Sequence, residues 1–513
     1  MNSQTKFVYD ELPYPSFTFP ETHPDRLATM ATLFGVKTAD PANCRMLELG
    51  CGDGTNLLSF AYGLPDSEFV GIDLSKKHID FAKQAADELS LRNISFYQKD
   101  VLDLDTGSFE KFDFIIAHGL FSWVPDIVRK KVLEIYRDCL TPDGIGLISY
   151  NTLPGCRIRQ ITWDLMQFHT RAIDDPTRKV EDGKSILDLV TEATDDACGY
   201  QSLLRLEQEQ IEERAIENVF HDDLCEINTP FYFYEIAAML EAAGFQYLSE
   251  SEPTSMNEAP FSNQFLSKLP SASDDIVSRE QYLDFVKFRR FRSTIFCRSD
   301  KKVERNPTAA VIEKFHISSN FEMDTPAGAI PDDSPLCFYS SNRTSVQISH
   351  SLTKATLQML RAKRPDSLRF EEIINDAIGA LSEVNVTNAD VGMTAGTLLQ
   401  LFFAGFLNFH ANSTSVESQA TERPEAGGFA RWQAKNGSKI ATSMQCKNIS
   451  LEDPLMSALI SILDGKKDRE NLVEEIAKMI EVPTEQTDGF RKDLPDLIEV
   501  NLQKLAESGL LVS

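Results

Sequence analysis

The sequence predicts an α/β protein: a parallel sheet laid out as alternating strands and helices, followed by smaller α+β modules. Three observations carry this expectation. Short apolar strand patterns recur at helix-length intervals over the first 150 residues. The first of them runs directly into a glycine-rich turn, and the last third of the chain holds a weak internal repeat.

Residues 1–40 form an arm rich in aromatics and proline, with Tyr9-Asp-Glu-Leu-Pro-Tyr-Pro-Ser16, Phe17, Phe19 and Thr22-His23-Pro24. It reads equally as apolar cover for a sheet edge and as a lid over a site. Arg45–Leu49 is the first strand. In Glu48-Leu-Gly-Cys-Gly-Asp-Gly54, glycines 50, 52 and 54 let the backbone turn tightly beneath a ligand, and Cys51 is a small residue that suits the turn. A dinucleotide fingerprint requires glycine where Thr55 stands, so a nicotinamide cofactor is not expected. The second strand, Phe69–Ile72, ends in Asp73 with Leu74 beside it, and a carboxylate there can accept two ribose hydroxyls. Ile94–Gln98 leads to Asp100 and Val101, an acid and an apolar neighbour able to flank an adenine. Phe112–Ala117 is the fourth strand, and Thr141-Pro-Asp-Gly144 reads as a turn feeding the fifth, Ile145–Tyr150.

From Arg157 to Phe220 the pattern is helical and rich in Glu, Asp and Gln, which marks an insertion at 157–225. A helix at Phe233–Ala243 stops at Gly244, a strand follows at Phe245–Leu248, then a helix over Gln281–Val286 and a last strand at Ser293–Cys297. One domain therefore spans 41–300. The run Arg289, Arg290 and Arg292 reads by default as a solvated, ion-paired face, with contact to an acidic partner as the alternative. Beyond residue 300, Leu357-Gln-Met-Leu360 and Phe370-Glu-Glu-Ile373 match Ile460-Ser-Ile-Leu463 and Val473-Glu-Glu-Ile476 at a constant offset of 103. Gly405-Phe-Leu407 and Gly509-Leu-Leu511 close the two copies, and strand-like runs at Thr344–Ile348 and Ser438–Thr442 precede them. Helix, helix, helix and strand is a winged-helix-like plan, which divides the region into modules at 301–412 and 413–513, with Ala411–Gly428 as the linker.

At 513 residues with 42% hydrophobic content, the chain can fill several domain cores. No apolar run approaches the roughly 18 residues of a membrane span, and the start lacks a basic stretch followed by an apolar core, so a cytoplasmic protein without membrane insertion is expected. The nine cysteines never form CxxC and the eight histidines never form HExxH, which argues against disulfide scaffolds and metal sites. A net charge of −27 disfavours nucleic acid and favours a basic target. Ala117-His118-Gly119-Leu120 also lacks the Asn/Asp-Pro-Pro-aromatic segment of base-amino methylation and the Pro-Cys of cytosine carbon-5 methylation.

The glycine turn and the acids ending strands two and three resemble the class I, Rossmann-like, seven-stranded S-adenosylmethionine-dependent methyltransferases. That resemblance implies S-adenosylmethionine as cofactor and S-adenosylhomocysteine as product. It sets Glu48, Gly50, Gly52, Asp53 and Gly54 along the methionine end, Asp73 with Leu74 at the ribose, and Asp100 with Val101 at the adenine, with His118 also beside the cofactor. A narrower resemblance spans nearly the whole chain, to bacterial methyltransferases carrying a methyltransferase regulatory domain, including the rickettsial outer-membrane-protein lysine methyltransferases. It rests on Tyr9 to Pro15, Thr22-His-Pro-Asp-Arg-Leu27, Glu48 to Gly54, Ala117-His-Gly-Leu-Phe-Ser-Trp-Val-Pro125, Ser149-Tyr-Asn-Thr-Leu-Pro-Gly155, Glu280-Gln-Tyr-Leu-Asp-Phe285 and Ala430-Arg-Trp-Gln-Ala434. Cys156 departs from it, since that family favours Trp there. The resemblance implies a homodimer that methylates accessible lysines of a protein substrate. A small-molecule or lipid substrate is the alternative, and a non-catalytic scaffold that binds S-adenosylmethionine is the third.

Methyl transfer to lysine requires a neutral amine in line with the sulfonium, and residues at strand ends are placed to help. The candidates are His118 after strand four, Tyr150 and Asn151 ending strand five, and Tyr14 from the arm. Each has a plain reading beside it: His118 as a structural histidine orienting Gly119, Tyr14 as packing, and Trp123 as core before it is an aromatic wall.

Overall fold

The structure, a computed structural model, describes residues 12, 14–197, 199–323, 334–340, 344–381, 385–413, 419–480 and 487–512. Tyr9 to Glu11 and Pro13 of the arm lie outside them. α1 (Pro24–Leu33) is capped by His23, whose Nδ1 accepts from Asp25 N at 3.1 Å. Strands and helices then alternate as β1 (Arg45–Leu49), α2 (Thr55–Gly63), β2 (Glu68–Asp73), α3 (Lys76–Glu88), β3 (Ile94–Gln98), β4 (Phe112–Ala117), α4 (Asp126–Cys139) and β5 (Leu140–Asn151). The central strands are apolar along nearly their whole length because helices cover both faces of the sheet. Four helices follow as a unit: α5 (Cys156–Thr170), α6 (Pro176–Ala193), α7 (Tyr200–Glu212) and α8 (Ile216–Asp223). They close their own small core around Trp163, Met166, Val180, Leu187 and Leu204. The chain returns to the sheet through α9 (Phe233–Ala242), β6 (Phe245–Glu250), α10 (Asn263–Leu266), α11 (Ile276–Lys287) and β7 (Phe291–Arg298).

The seven strands lie in the order β3-β2-β1-β4-β5-β7-β6. The sheet is mixed rather than wholly parallel, because β7 enters antiparallel between β5 and β6. Gly146 makes room for this pairing, since a Cβ there would come within 2.4 Å of the Phe296 ring. Thr141–Gly144, expected as a turn, lies within β5 as an irregularity, where pairing jumps from Phe112 with Leu140 to Phe114 with Ile145. Arg298 Nη2, donating to Leu140 O at 2.7 Å, and Lys301 Nζ, donating to Asp143 Oδ1 at 2.6 Å, fasten it.

The arginine run is not a solvated face. Arg292 is wholly buried; its Nε donates to Asp284 Oδ2 at 3.0 Å, its Nη2 reaches Glu280 Oε2 and Asp284 Oδ1 at 2.9 Å each, and Nη1 pairs with Glu250. Arg289 shares Glu280 and Asp284, and Arg290 pairs with Glu207 of α7. The carboxylates brought by β6, α7 and α11 offset the desolvation that burying these guanidinium groups would otherwise cost.

Beyond the sheet come β8 (His316–Ser319), β9 (Phe321–Met323), β10 (Leu336–Ser340), β11 (Ser345–Ile348), α12 (Ser351–Ala362), β12 (Leu368–Arg369), α13 (Phe370–Ala380), α14 (Asn388–Phe403) and β13 (Leu407–His410). They are followed by β14 (Glu425–Ala426), α15 (Gly428–Lys435), β15 (Ile440–Thr442), β16 (Asn448–Ser450), α16 (Pro454–Ile462), α17 (Arg469–Met479), α18 (Thr487–Glu507) and β17 (Leu511–Val512). The two halves share an unusual closure. In each, a strand preceding the helices sits at the centre: β8 lies between β12 and β13, while β14 pairs with β17 and bridges to Asp464. Leu357, Leu360 and Ile373 are buried in one core, and Ile460, Leu463 and Ile476 in the other. The stretch expected as a linker thus ends in β14, a strand of two residues that is too short to show alternation in sequence. Among the described residues no helix is long and apolar enough to cross a membrane.

Candidate active site

At the carboxyl edge of the sheet, Gly50 N and Cys51 N both donate to Ile72 O, at 2.8 and 3.1 Å, which lashes the turn after β1 to β2. Gly52 and Gly54 have φ of 54° and 78°, in the left-handed region. A Cβ at Gly54 would come within 2.7 Å of the Phe96 ring, so that glycine is required by packing. A Cβ at Gly52 would meet nothing within 4 Å, so the turn faces open space there. Leu120 covers Gly50 from the loop after β4, 3.3 Å from where a Cβ would sit.

Three carboxylates surround this turn. Asp73 Oδ2 accepts from Gly52 N at 2.9 Å and Oδ1 from Ser75 N at 2.8 Å; burial holds its pKa above the ordinary value. Asp53 Oδ1 accepts from Thr55 N at 3.0 Å, and its Oδ2 accepts from the Ser16 hydroxyl. Glu48 is 3% exposed; Oε1 accepts from Asn56 Nδ2 at 3.1 Å, while Oε2 is buried with no partner among the described residues. Burial, and then the nearby Asp73 and Asp53, push its pKa up to about 8 against the opposing Asn56 bond.

The arm closes over these groups. Phe19 N donates to Asn56 Oδ1 at 2.9 Å, and the Phe19 ring lies 4.3 Å from the His118 imidazole, which has Phe291 edge-on at 6.1 Å. Burial alone pushes His118 down to about 4, so it is neutral near pH 7, and its Nδ1 is buried without a partner among the described residues. Gly119 N donates to Ser149 Oγ at 2.7 Å, so the turn is held by β5 and not by the His118 side chain. Trp123 is half-buried, with Nε1 also lacking a partner among the described residues. Asp100 caps a short turn by accepting from Leu102 N at 2.9 Å; Val101 is half-buried and Leu74 is 46% exposed.

The remaining candidates separate. Tyr150 is fully buried in the sheet core and its hydroxyl meets Thr294 Oγ1 at 3.0 Å, so the structure does not bring it to the turn. Asn151 is on the other face, its Nδ2 donating to Asn228 Oδ1 at 2.8 Å and its backbone N to Ser122 Oγ at 2.9 Å. Tyr14 packs on α8, hydrogen-bonded to Asn218 and 5.8 Å from the His221 ring; burial pushes its hydroxyl up to about 12. Asn228 Nδ2 donates to Asp222 O at 2.7 Å, which joins the Asn151 and Tyr14 sides of this wall. Sequence reading missed Ser16, Asn56, Asn228 and Phe291. Asn56 carried a signal, being the one amide on a helix whose other faces are apolar or small.

Residues 40–191 match the methyltransferase domain family, 217–298 the predicted methyltransferase regulatory domain, and 422–510 the PKMT C-terminal winged helix domain. PKMT2 from Rickettsia typhi, solved in complex with AdoHcy, superposes with a TM-score of 0.88 at 27% identity, covering 98% of this chain and 100% of that one. A second structure of PKMT2 gives 0.87 at 28%. The uncharacterized protein RP789 of Rickettsia prowazekii is 30% identical over 521 residues, covering 98% of this chain and 93% of that protein. The chain belongs to this methyltransferase family. It has the class I fold with a C-terminal winged-helix domain and is an S-adenosylmethionine-dependent methyltransferase. RP028 of the same organism is 37% identical over 244 residues, matching 47% of this chain and 97% of its own length. The family's cofactor suits what is present: a buried Glu48 oxygen with no partner among the described residues, able to take an ammonium, and open space above Gly52 where any side chain would intrude.

Proposed function

We propose that the protein transfers methyl groups from S-adenosylmethionine to lysine side chains of a protein substrate. The observation that carries this reading is likeness to PKMT2, a protein lysine methyltransferase, over 98% of this chain, C-terminal modules included. The cofactor, when bound, supplies an electrophilic methyl on a sulfonium. Glu48, Gly52, Asp53 and Asp73 are the groups that would hold its methionine and ribose portions, with Asp100 and Val101 at the adenine.

The chain's own residues would then prepare the amine. A free lysine has a pKa near 10.4, so a depression of about three units, roughly 4 kcal/mol, must come from its surroundings. The rings of Phe19 and Phe291 on either side of His118 offer a desolvating wall that still tolerates cationic amines. His118, neutral and with Nδ1 unpartnered among the described residues, can accept an N–H from the amine and aim its lone pair; an imidazole of such low basicity orients the amine and leaves the proton to solvent. Asn151, buried and fixed by Asn228 and Ser122, acts through the wall it holds together. Tyr150 acts through packing of β5 against β7.

The test is incubation with methyl-labelled S-adenosylmethionine and a lysate of the source cells, followed by fractionation and amino-acid analysis. Methyllysine in a discrete protein is the expected result. Label confined to lipid or small molecules would overturn the lysine assignment, and cofactor binding without label in any fraction would overturn turnover itself.

A further inference from the structure

The second C-terminal module touches the arm at one residue of unusual involvement. Thr18 is 1% exposed, and its backbone is gripped on both sides by one side chain: Thr18 N donates to Asn448 Oδ1 at 3.1 Å and Asn448 Nδ2 donates to Thr18 O at 2.7 Å. The Thr18 hydroxyl meets Thr442 Oγ1 at 3.1 Å. Thr442 is itself fixed by Gln433, with Thr442 N donating to Gln433 Oε1 at 2.6 Å and Gln433 Nε2 to Thr442 Oγ1 at 3.1 Å. Thr442 and Asn448 pair across the β15–β16 hairpin. The tip of that hairpin carries buried Cys446, which bonds Ser59 of α2, the helix that springs from the glycine turn.

The neighbours of Thr18 are the groups that cover the turn. Ser16 reaches Asp53 on one side; on the other, Phe19 reaches Asn56, which donates in turn to Glu48, and the Phe19 ring packs at a tilt against His118. We propose that the β15–β16 hairpin is a latch that holds arm residues 16–19 closed over the cofactor turn, with Asn448 and Thr442 as positioning residues. This rests on the cofactor reading of that turn. The arm must lift for S-adenosylhomocysteine to leave, and lifting it breaks the Thr18 bonds. The winged-helix module thereby sets the rate of cofactor exchange from a part of the chain 430 residues away in sequence.

Asn448→Ala removes both backbone bonds and leaves Thr18 N and O unpaired, which favours the open arm by about tenfold. Thr18→Val removes the hydroxyl contact from the arm side without touching the module, and Thr442→Ser retains the hydroxyl as the conservative control. Two measurements are made on each full-length variant: amide hydrogen exchange at residues 14–20 of the ligand-free protein, and the dissociation rate of S-adenosylhomocysteine. The latch requires both to rise about tenfold in Asn448→Ala, less in Thr18→Val, and not at all in Thr442→Ser, with exchange in α16 and α17 unchanged. Unchanged arm exchange in Asn448→Ala overturns the latch. Faster arm exchange with an unchanged dissociation rate overturns its coupling to the cofactor. A wild-type protein that bound no S-adenosylhomocysteine would overturn the cofactor reading instead, while the exchange data would still decide whether the hairpin holds the arm.

Discussion

The two halves of the C-terminal region each fold helices between a leading and a closing strand, yet they join the rest of the molecule differently. The first is continuous with the catalytic domain: Ile317, Leu357, Phe370 and Phe402 belong to the cluster that also holds Met46, Leu57 and Phe69. The second keeps a core of its own around Leu459, Ile460, Leu472 and Leu502 and, among the described residues, lends the buried Phe429 and Cys446 to the shared one. Among the described residues it adds the Trp432 ring against Phe81 and a set of polar ties: Asn448 to Thr18, Gly428 N donating to Tyr62 Oη at 2.7 Å, and Trp432 to Glu88. The first stretch shares the apolar core of the catalytic domain, and the C-terminal one keeps its own core and adds directional contacts. Apolar continuity couples folding, whereas hydrogen bonds at an interface couple positions.

The largest test of this contrast is its response to pH. Glu48 has a folded pKa of about 8 against an ordinary 4.5, so the folded state holds its proton more tightly and stability falls as pH rises from 4.5 through 8. The fall is at most about 5 kcal/mol. His23 and His118 act oppositely: each is held near 4 by burial, so stability is lost as pH falls below 6.5 toward 4. Together the three groups give the ligand-free catalytic unit greatest stability near pH 6.5. Calorimetry is expected to show the transition of that unit moving with pH while the second module's transition stays fixed, and Glu48→Gln is expected to flatten the alkaline limb. Parallel movement of both transitions would contradict separable cores.

Matched cavities sharpen the same comparison. Leu357→Ala and Ile460→Ala occupy equivalent places in the repeat, both fully buried, and each is expected to cost about 2–5 kcal/mol. The first should lower the melting temperature of the cofactor-binding unit, and the second that of the C-terminal module alone. Equal loss of S-adenosylhomocysteine-linked stabilisation in both variants would show one cooperative body in place of two.

His118→Ala is the next effect in size. Removing the group that aims the amine is expected to lower the transfer rate about a hundredfold while leaving S-adenosylhomocysteine affinity within twofold. A rate unchanged under saturating substrate would make the Phe19 contact the residue's whole role.

The glycine turn and its acids were legible because each is local: a positive φ, a strand end, a carboxylate two residues from a backbone N–H. Strand direction is not local, since an apolar run looks the same read either way, so β7 was expected as a strand without its reversal. Tyr150 and Asn151 show a related limit. Adjacent residues of a strand face opposite sides, and here both sides are covered, so Tyr150 turns to Thr294 and Asn151 to Asn228. The arginine run misled because its carboxylate partners, Glu207, Glu250, Glu280 and Asp284, come from α7, β6 and α11, of which only α11 neighbours the run in sequence. Thr18 and Asn448 carry no sequence signal at all, being ordinary polar residues joined only by the fold.

The smallest expected effect isolates which polar tie matters. Trp432 Nε1 donates to Glu88 Oε2 at 2.6 Å across an exposed contact, and the Trp432 ring lies edge-on to Phe81 at 5.9 Å. Glu88 is solvated, so the hydrogen bond exchanges one aqueous partner for another and adds little to stability. Trp432→Phe keeps an aromatic ring, smaller than the indole, and deletes the donor. It is expected to leave both melting transitions within about 1 °C, and arm exchange at residues 14–20 unchanged, where Asn448→Ala raises it. Were Trp432→Phe to loosen the arm as much as Asn448→Ala does, the module would be acting through its whole seating on α3, and the hairpin would have no special claim as the point of control.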